Sequence, residues 1–210
     1  MEYLGVWVTR DGIKPINIKI EKITNMKPPT CQKEVQNFIG VINYYCNMWL
    51  RRSHTLLPLT KLMFIKRNFK FTQVEQYAFN KIKRIVDCDT LLTCPDFNEA
   101  FKIHIDASAF QLGAVISHKG KTIAFYSRKM TYPQQQYILT ERELLSIVET
   151  LKEFRTILLG HKLQLYTDHK SLTCKTFNTD RVLRWILILE EYGTYIEYTK
   201  GEKNMVANTM

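Results

Sequence analysis

The sequence has no long apolar segment. Its longest apolar runs, such as Ile186 to Leu189, are far shorter than the roughly 20 residues that a membrane-spanning helix needs. Met1 is followed by Glu2 and Tyr3 rather than by the basic start and apolar stretch of a secretory signal. We therefore expect no membrane partner and an intracellular, cytoplasmic protein.

Cysteine is scarce and irregularly spaced. The chain has five cysteines, an odd number, with no Cys-x-x-Cys pair and no histidine at zinc-finger spacing. The two that are nearest in sequence, Cys88 and Cys94, are more typical of packing or loop residues than of a metal site. We therefore predict reduced thiols rather than a disulfide framework.

The composition is that of a folded, basic protein. Hydrophobic residues make up 45% of the chain and charged residues 24%, which is too apolar for a disordered segment. The net charge is +10; residues 1–97 hold 15 Lys and Arg against 8 Asp and Glu, which leaves 15 against 12 in the rest. Lysine or arginine that meets a phosphate releases condensed counterions, so this surplus favours a polyanionic partner, although charge alone does not identify one.

The start of the chain is predicted to form a small sheet and then a helix. Residues 3–9 are β-branched and aromatic, and residues 13–18 extend again after a turn, which predicts a hairpin. Apolar residues at helical spacing predict a helix over about residues 31–46, with Thr30 as its cap.

Two further helices are predicted before residue 90. A short one surrounds Pro58. The next follows Thr72, which has Glu75 three residues later as in a capping box, and should end near Asp87. The pattern changes after the turn-forming sequence at residues 94–96, so we expect one domain over residues 1–97 and a second over 98–210.

The second domain alternates between strand and helix patterns. Strands are predicted over residues 101–105, 111–118, 122–127, 163–167 and 195–199. Apolar stripes predict helices over residues 140–159, with Gly160 as the stop, and over 181–192. This order predicts a mixed α/β fold whose first three strands are antiparallel.

Three acidic residues stand at the ends of these elements. Asp106 ends the first strand of the domain, Glu143 lies in the first turns of the long helix, and Asp168 follows the fourth strand. If those two strands are neighbours and the helix crosses them, the carboxylates converge and offer the oxygen ligands that Mg²⁺ prefers. Two such ions about 4 Å apart can activate a water and stabilise the leaving oxygen of a phosphodiester.

Each of the three also has a purely structural interpretation. Asp106 could hydrogen-bond within the turn that follows it. Glu143 could close a capping box with Thr140, and Asp168 could cap a helix that begins at His169. Their combined positions, at two strand ends and one helix start, favour the metal site.

Several ordered motifs resemble those of gypsy-class LTR retrotransposon polyproteins. The second domain is similar to their ribonuclease H domain through FKIHIDASAFQLGAVISH, IAFYSRKM, YILTERELLSIVETLKEFRTILLG, LYTDHKSL, RVLRWILILEEYG and IEYTKGEKNMVAN. The first resembles the segment between polymerase and nuclease through YLGVWVTRDGIKP, KPPTCQKEVQNFIGVINYYCNMW, PLTKLM and FKFTQVEQYAFNKIK. The resemblance covers nearly the whole chain.

The resemblance implies a ribonuclease H-like fold, a mixed five-stranded sheet with flanking helices, preceded by a smaller, mostly helical α+β connection segment. It implies an endonuclease that uses two Mg²⁺ or Mn²⁺ ions to cut the RNA strand of an RNA–DNA hybrid. The implied catalytic and metal-binding residues are Asp106 of the DAS motif, Glu143 of the ELL motif and Asp168 of the TDH motif. An upstream polymerase domain of the same polyprotein is the other implied partner, and an intact element would place the protein in a virus-like particle.

The fourth metal ligand of the family is altered. The family's tail reads N-x-V-A-D-x-L-S-R, whereas residues 204–210 read N-M-V-A-N-T-M, so Asn208 stands where the last metal-binding aspartate is expected. A neutral amide is a weaker ligand for a hard cation. We therefore expect a weakened or inactive nuclease, as in a truncated copy.

No stretch of the sequence resembles the Y-x-D-D motif that holds the polymerase metals in this family. We therefore expect no RNA-directed DNA polymerase activity from the chain. Two alternatives to an active nuclease stay open: a catalytically inactive module that binds the hybrid, and a connection module that serves the polymerase.

Basic residues supply the candidate nucleic-acid contacts. They are Arg51, Arg52, Lys66, Arg67, Arg128, Lys129, His169 and Lys170. Those in the first domain are interleaved with Tyr44, Tyr45 and Trp49, a mixture that suits a duplex backbone, unless these aromatic residues pack in the core. His169 could also assist proton transfer, or be an ordinary residue at a helix start.

Overall fold

The computed structural model describes residues 1–49, 52–64, 69–88, 91–169 and 179–199. The chain divides between Cys94 and Pro95 into two compact units. Outside the described residues lie the candidate site residues Arg51, Lys66, Arg67, Lys170 and Asn208. Among the helices that are described, none combines the length and the apolar character that crossing a lipid bilayer would require.

The first unit combines a small antiparallel sheet with helices. The sheet consists of β1 (Glu2–Tyr3), β2 (Val6–Val8) and β3 (Ile13–Pro15), paired in that order. The helices are α1 (Asn17–Thr24), α2 (Gln32–Tyr44), α3 (Arg52–Leu62) and α4 (Gln73–Asp87). The capping box of Thr72 and Glu75 is confirmed at the start of α4.

Two expectations for this unit were wrong. Residues 17 and 18 begin α1 instead of extending the hairpin, because helical spacing there buries Ile23 against the rest of the unit. The cap of α2 is Cys31 rather than Thr30. The Glu34 carboxylate instead accepts hydrogen bonds from the N–H and the hydroxyl of Thr30, one residue before the observed cap, at 2.7 and 2.9 Å.

The second unit is built on a mixed five-stranded sheet in the order β6–β5–β4–β7–β8. The strands are β4 (Phe101–Ala107), β5 (Gln111–His118), β6 (Lys121–Lys129), β7 (Leu163–Thr167) and β8 (Tyr195–Tyr198). β4, β5 and β6 are antiparallel, whereas β7 runs parallel to both β4 and β8. The predicted mixed α/β fold and its three leading antiparallel strands are confirmed.

The helices of the second unit differ in one respect from the expectation. They are α5 (Tyr132–Gln135), α6 (Leu139–Glu153), α7 (Arg155–Leu158) and α8 (Asp180–Glu191). The single helix expected over residues 140–159 is interrupted at Phe154, whose φ of −103° and ψ of 27° leave the helical region. The predicted stop is confirmed, because Gly160 has the left-handed φ of +82° that commonly ends a helix.

The core of this unit lies between the sheet and α6. Ile103, Ile105, Ile147 and Leu151 are each no more than 1% exposed, and burying one such side chain contributes about 1.5–3 kcal/mol. These contacts fix the rotation of α6 about its own axis. Glu143, one turn before Ile147, therefore faces the sheet.

A polar contact sets how closely α6 approaches β5. The Ser146 hydroxyl, fully buried, donates to the Gly113 carbonyl at 3.0 Å. A Cβ at residue 113 would lie 3.1 Å from the Asp106 carbonyl oxygen, so glycine leaves room where β4, β5 and α6 meet.

Candidate active site

The Glu143 carboxylate lies between the ends of β4 and β7. The side chain is only 2% exposed. Its Oε1 accepts a hydrogen bond from the Ala107 N–H at 3.1 Å, and its Oε2 accepts one from the Thr167 hydroxyl at 3.3 Å. The capping-box interpretation of Glu143 is wrong, because the cap of α6 is Ile138 and the carboxylate reaches across to the two strands.

Burial raises the pKa of Glu143 to about 7. The neighbouring His169 and the hydrogen bond from Ala107 lower the pKa of Glu143, whereas the negative charges of Asp168 and Asp106 raise it further. A desolvated carboxylate beside two others is a place where a cation is strongly favoured.

Asp168 and His169 complete a compact group of ligand atoms with Glu143. One ligand atom from each of the three residues lies within 4.8 Å of the other two. The Asp168 Oδ1 and the His169 Nδ1 are 2.9 Å apart. Because the Asp168 side chain is 42% exposed, an ion from solvent can reach this group. Carboxylate oxygens suit hard divalent cations, and an imidazole suits the softer ones among them.

Asp106, near the end of β4, does not belong to this compact group of ligand atoms. It is half-buried and lies on the face of the sheet opposite to Ile105 and Ala107. β4 and β7 are direct neighbours, as convergence requires, and the charge of Asp106 acts on Glu143. In the turn after β4, the Ser108 hydroxyl accepts a hydrogen bond from the Phe110 N–H at 3.3 Å.

In the first unit, the aromatic residues proposed for a nucleic-acid surface are largely packing residues. Tyr45 and Trp49 are 3% and 2% exposed, so the packing alternative is correct for both. Tyr44 is exposed, and its hydroxyl donates to a backbone carbonyl of the β1–β2 turn. Arg52 is half-buried and donates to the Asn43 side chain, and burial lowers the pKa of its guanidinium. Arg52 is therefore not a freely exposed cation.

The two basic residues at the end of β6 differ in their availability. Arg128 is 3.1 Å from the Glu149 carboxylate on α6, so part of its charge is already neutralised. Lys129 is exposed. Of these two residues, Lys129 is better placed to meet a phosphate.

Two features around Glu143 were not predicted from the sequence. One is Thr167. The alternating pattern of β7 indicated that its side chain points into the core, but it did not indicate the hydrogen bonds of its hydroxyl. The other is an ion pair of 2.8 Å between Arg181 on α8 and Glu141 on α6. The Arg181 guanidinium also stacks 3.9 Å from the centre of the Tyr137 ring. This pair ties the first turn of α6, and with it Glu143, to α8.

Comparison with known proteins identifies relatives over both units. Residues 96–192 match the family described as the RNase H-like domain found in reverse transcriptase. The chain is 37% identical over 213 residues to the retrovirus-related Pol polyprotein from transposon 297 of Drosophila melanogaster, covering 99% of this chain and 20% of that protein. It is 31% identical over 226 residues to the Pol polyprotein from transposon gypsy of the same organism, covering 100% and 22%.

The chain thus spans about a fifth of the length of these curated relatives. Among solved structures, it matches the foamy viral protease-reverse transcriptase in complex with an RNA/DNA hybrid with a TM-score of 0.82 at 22% identity. That match covers 96% of this chain and 29% of the viral one. A similar match, also with a TM-score of 0.82, links it to the foamy viral enzyme in complex with double-stranded DNA. These likenesses show a shared fold.

Proposed function

We propose that the second unit of this chain, whose residues 96–192 match the family of RNase H-like domains found in reverse transcriptase, hydrolyses the RNA strand of RNA–DNA hybrids. The observation that carries the proposal is the buried Glu143 carboxylate, held between two strand ends beside Asp168. Such a carboxylate is costly to bury unless a cation compensates it. A phosphodiester is a substrate that needs this kind of charge compensation.

The residues of the site have different proposed roles, in metal binding and in proton transfer. Asp106, Glu143 and Asp168 would hold two divalent cations, Mg²⁺ or Mn²⁺, which supply Lewis acidity at the phosphodiester when bound. Glu143 is held in place by its two hydrogen bonds, whereas the more exposed Asp168 meets the solvent side. His169, 2.9 Å from the Asp168 carboxylate, would accept or return a proton at its imidazole.

The proposed partners are the RNA–DNA hybrid and a polymerase domain. The hybrid backbone would run past Lys129 and His169. The polyprotein relatives support a polymerase domain of the same polyprotein as the second partner. We propose a cytoplasmic setting, within a particle when the element is intact.

Cleavage of an end-labelled RNA–DNA hybrid by the full chain, with Mg²⁺ or Mn²⁺, tests this function. The expected result is cleavage within the RNA strand that EDTA abolishes. The same RNA as a single strand and a DNA duplex of the same sequence should both stay intact. A folded chain that cuts none of the three with either metal would refute the nuclease.

A second candidate function is a hybrid-binding module without turnover. The observation in its favour is Asn208, which stands where the family has its last metal-binding aspartate. Hybrid binding that weakens steeply with added salt, in the absence of cleavage, would support this module, because phosphate contacts impose such a slope.

Asn208→Asp should raise Mg²⁺-dependent cleavage, because a carboxylate is a stronger ligand for a hard cation than an amide. The measurement is the initial rate on the labelled hybrid as a function of Mg²⁺ concentration. Asn204→Asp, four residues earlier in the sequence, is the matched control for added negative charge. An unchanged rate in folded Asn208→Asp would contradict the idea that residue 208 limits turnover.

A further inference from the structure

Thr167 is the last residue of β7 and stands directly before Asp168. The side chain is fully buried. Its hydroxyl donates to the Glu143 Oε2 at 3.3 Å and accepts the His169 N–H at 3.1 Å. A hydroxyl has one proton and two lone pairs, so both hydrogen bonds form at once.

The two hydrogen bonds to Glu143 follow a common pattern. Ala107, which donates to Oε1, is the residue after Asp106, and Thr167, which donates to Oε2, is the residue before Asp168. Each oxygen of the central carboxylate is therefore tied to a neighbour of another acidic residue. Because a carboxylate oxygen has two lone pairs, each also keeps one for a cation.

We propose that Thr167 is a positioning residue that sets the distance between the Glu143 and Asp168 carboxylates. This role rests on the proposed nuclease function and its metal site. The hydroxyl acts through both neighbours: it holds Glu143 from one side and, through the His169 N–H, fixes the backbone that carries Asp168.

If Thr167 had only a packing role, the relative importance of its hydroxyl and its methyl group would be reversed. Leu163 and Leu165 point to the same side of β7 and are buried in the apolar core. If Thr167 only fills space there, its methyl group matters and its hydroxyl does not. If it positions the carboxylates, the hydroxyl matters more than the methyl group.

Thr167→Val and Thr167→Ser separate the two roles. Valine keeps the shape, is favoured in strands and removes the hydroxyl, whereas serine keeps the hydroxyl and removes the methyl group. We expect Thr167→Val to weaken Mn²⁺ binding and lower kcat by about 10- to 100-fold, as for other residues that orient metal ligands, with little change in the KM for hybrid. Thr167→Ser should stay close to the wild type in both.

Calorimetric titration with Mn²⁺ alone provides a readout that does not depend on cleavage. Wild-type Mn²⁺ affinity and kcat that persist in Thr167→Val would overturn the role of Thr167 and leave the nuclease intact. A larger loss in Thr167→Ser than in Thr167→Val would overturn it in favour of packing. A wild-type chain that neither binds Mn²⁺ nor cleaves would overturn the proposed function itself, and this role with it.

Discussion

Asp106→Asn should strongly reduce metal-dependent cleavage of the hybrid, while the chain stays folded and still binds the hybrid. Asparagine has the size of aspartate, so β4 keeps its pairing with β5, but the amide removes a negative charge beside Glu143. Lewis acid stabilisation is worth several kcal/mol, and each 1.4 kcal/mol or so is a factor of ten in rate. We therefore expect a loss of roughly 100-fold or more in kcat.

The measurement pairs cleavage rate with hybrid affinity under the same metal conditions. Asp96→Asn is the control, because Asp96 is an exposed aspartate of the same unit that pairs with Lys119. Its rate should match the wild type. Asp106→Asn within twofold of the wild-type rate would remove Asp106 from the metal site, and an equal loss in both variants would point to a general effect of charge.

Glu143→Gln should stabilise the metal-free protein at pH 8. Burial raises the pKa of this carboxyl from 4.5 to about 7, so the folded chain keeps its proton where the unfolded chain has lost it. Stability is then lost as pH rises from about 4.5 to about 7, and the penalty is complete above that range, on the order of 3 kcal/mol. Glutamine stays neutral at every pH and retains an acceptor for the Ala107 N–H.

Thermal unfolding in EDTA at pH 4 and at pH 8 measures this effect. Glu143→Gln should raise Tm at pH 8 and leave it nearly unchanged at pH 4, where the wild-type carboxyl is also protonated. Glu153→Gln, which removes an exposed charge from the same helix, is the control for a general effect of charge. Mn²⁺ should raise the wild-type Tm and not that of Glu143→Gln, because binding stabilises only the state that binds. A lower Tm for Glu143→Gln at both pH values would show that the lost hydrogen bond outweighs the cost of burial.

The strands of the second unit were predictable because their signal is local. Strands were predicted from the types of consecutive residues, without knowledge of distant contacts. The observed bounds of β5 and β7 are those predicted in this way. The motifs identified the family, and this identification is confirmed by the relatives. The adjacency of β4 and β7, on which the acidic site depends, was only a condition in the reasoning from sequence, and the structure meets it.

Helix ends were less predictable. The start of α1, the cap of α2 and the break at Phe154 each depend on a choice between conformations of similar intrinsic energy. Packing against distant residues decides such choices. A single sequence contains no direct measure of that packing.

The sequence by itself therefore determined the α/β plan, the family and the three acidic candidates. Only the tertiary structure decided which alternative Glu143 follows. Glu143 accepts from Ala107 and Thr167, which are 36 and 24 residues away, instead of closing a helix cap. The physical reason is that the burial of a carboxylate depends on the packing of the whole chain and not on the residues next to it in sequence. Its pKa and its hydrogen-bond partners depend on that burial.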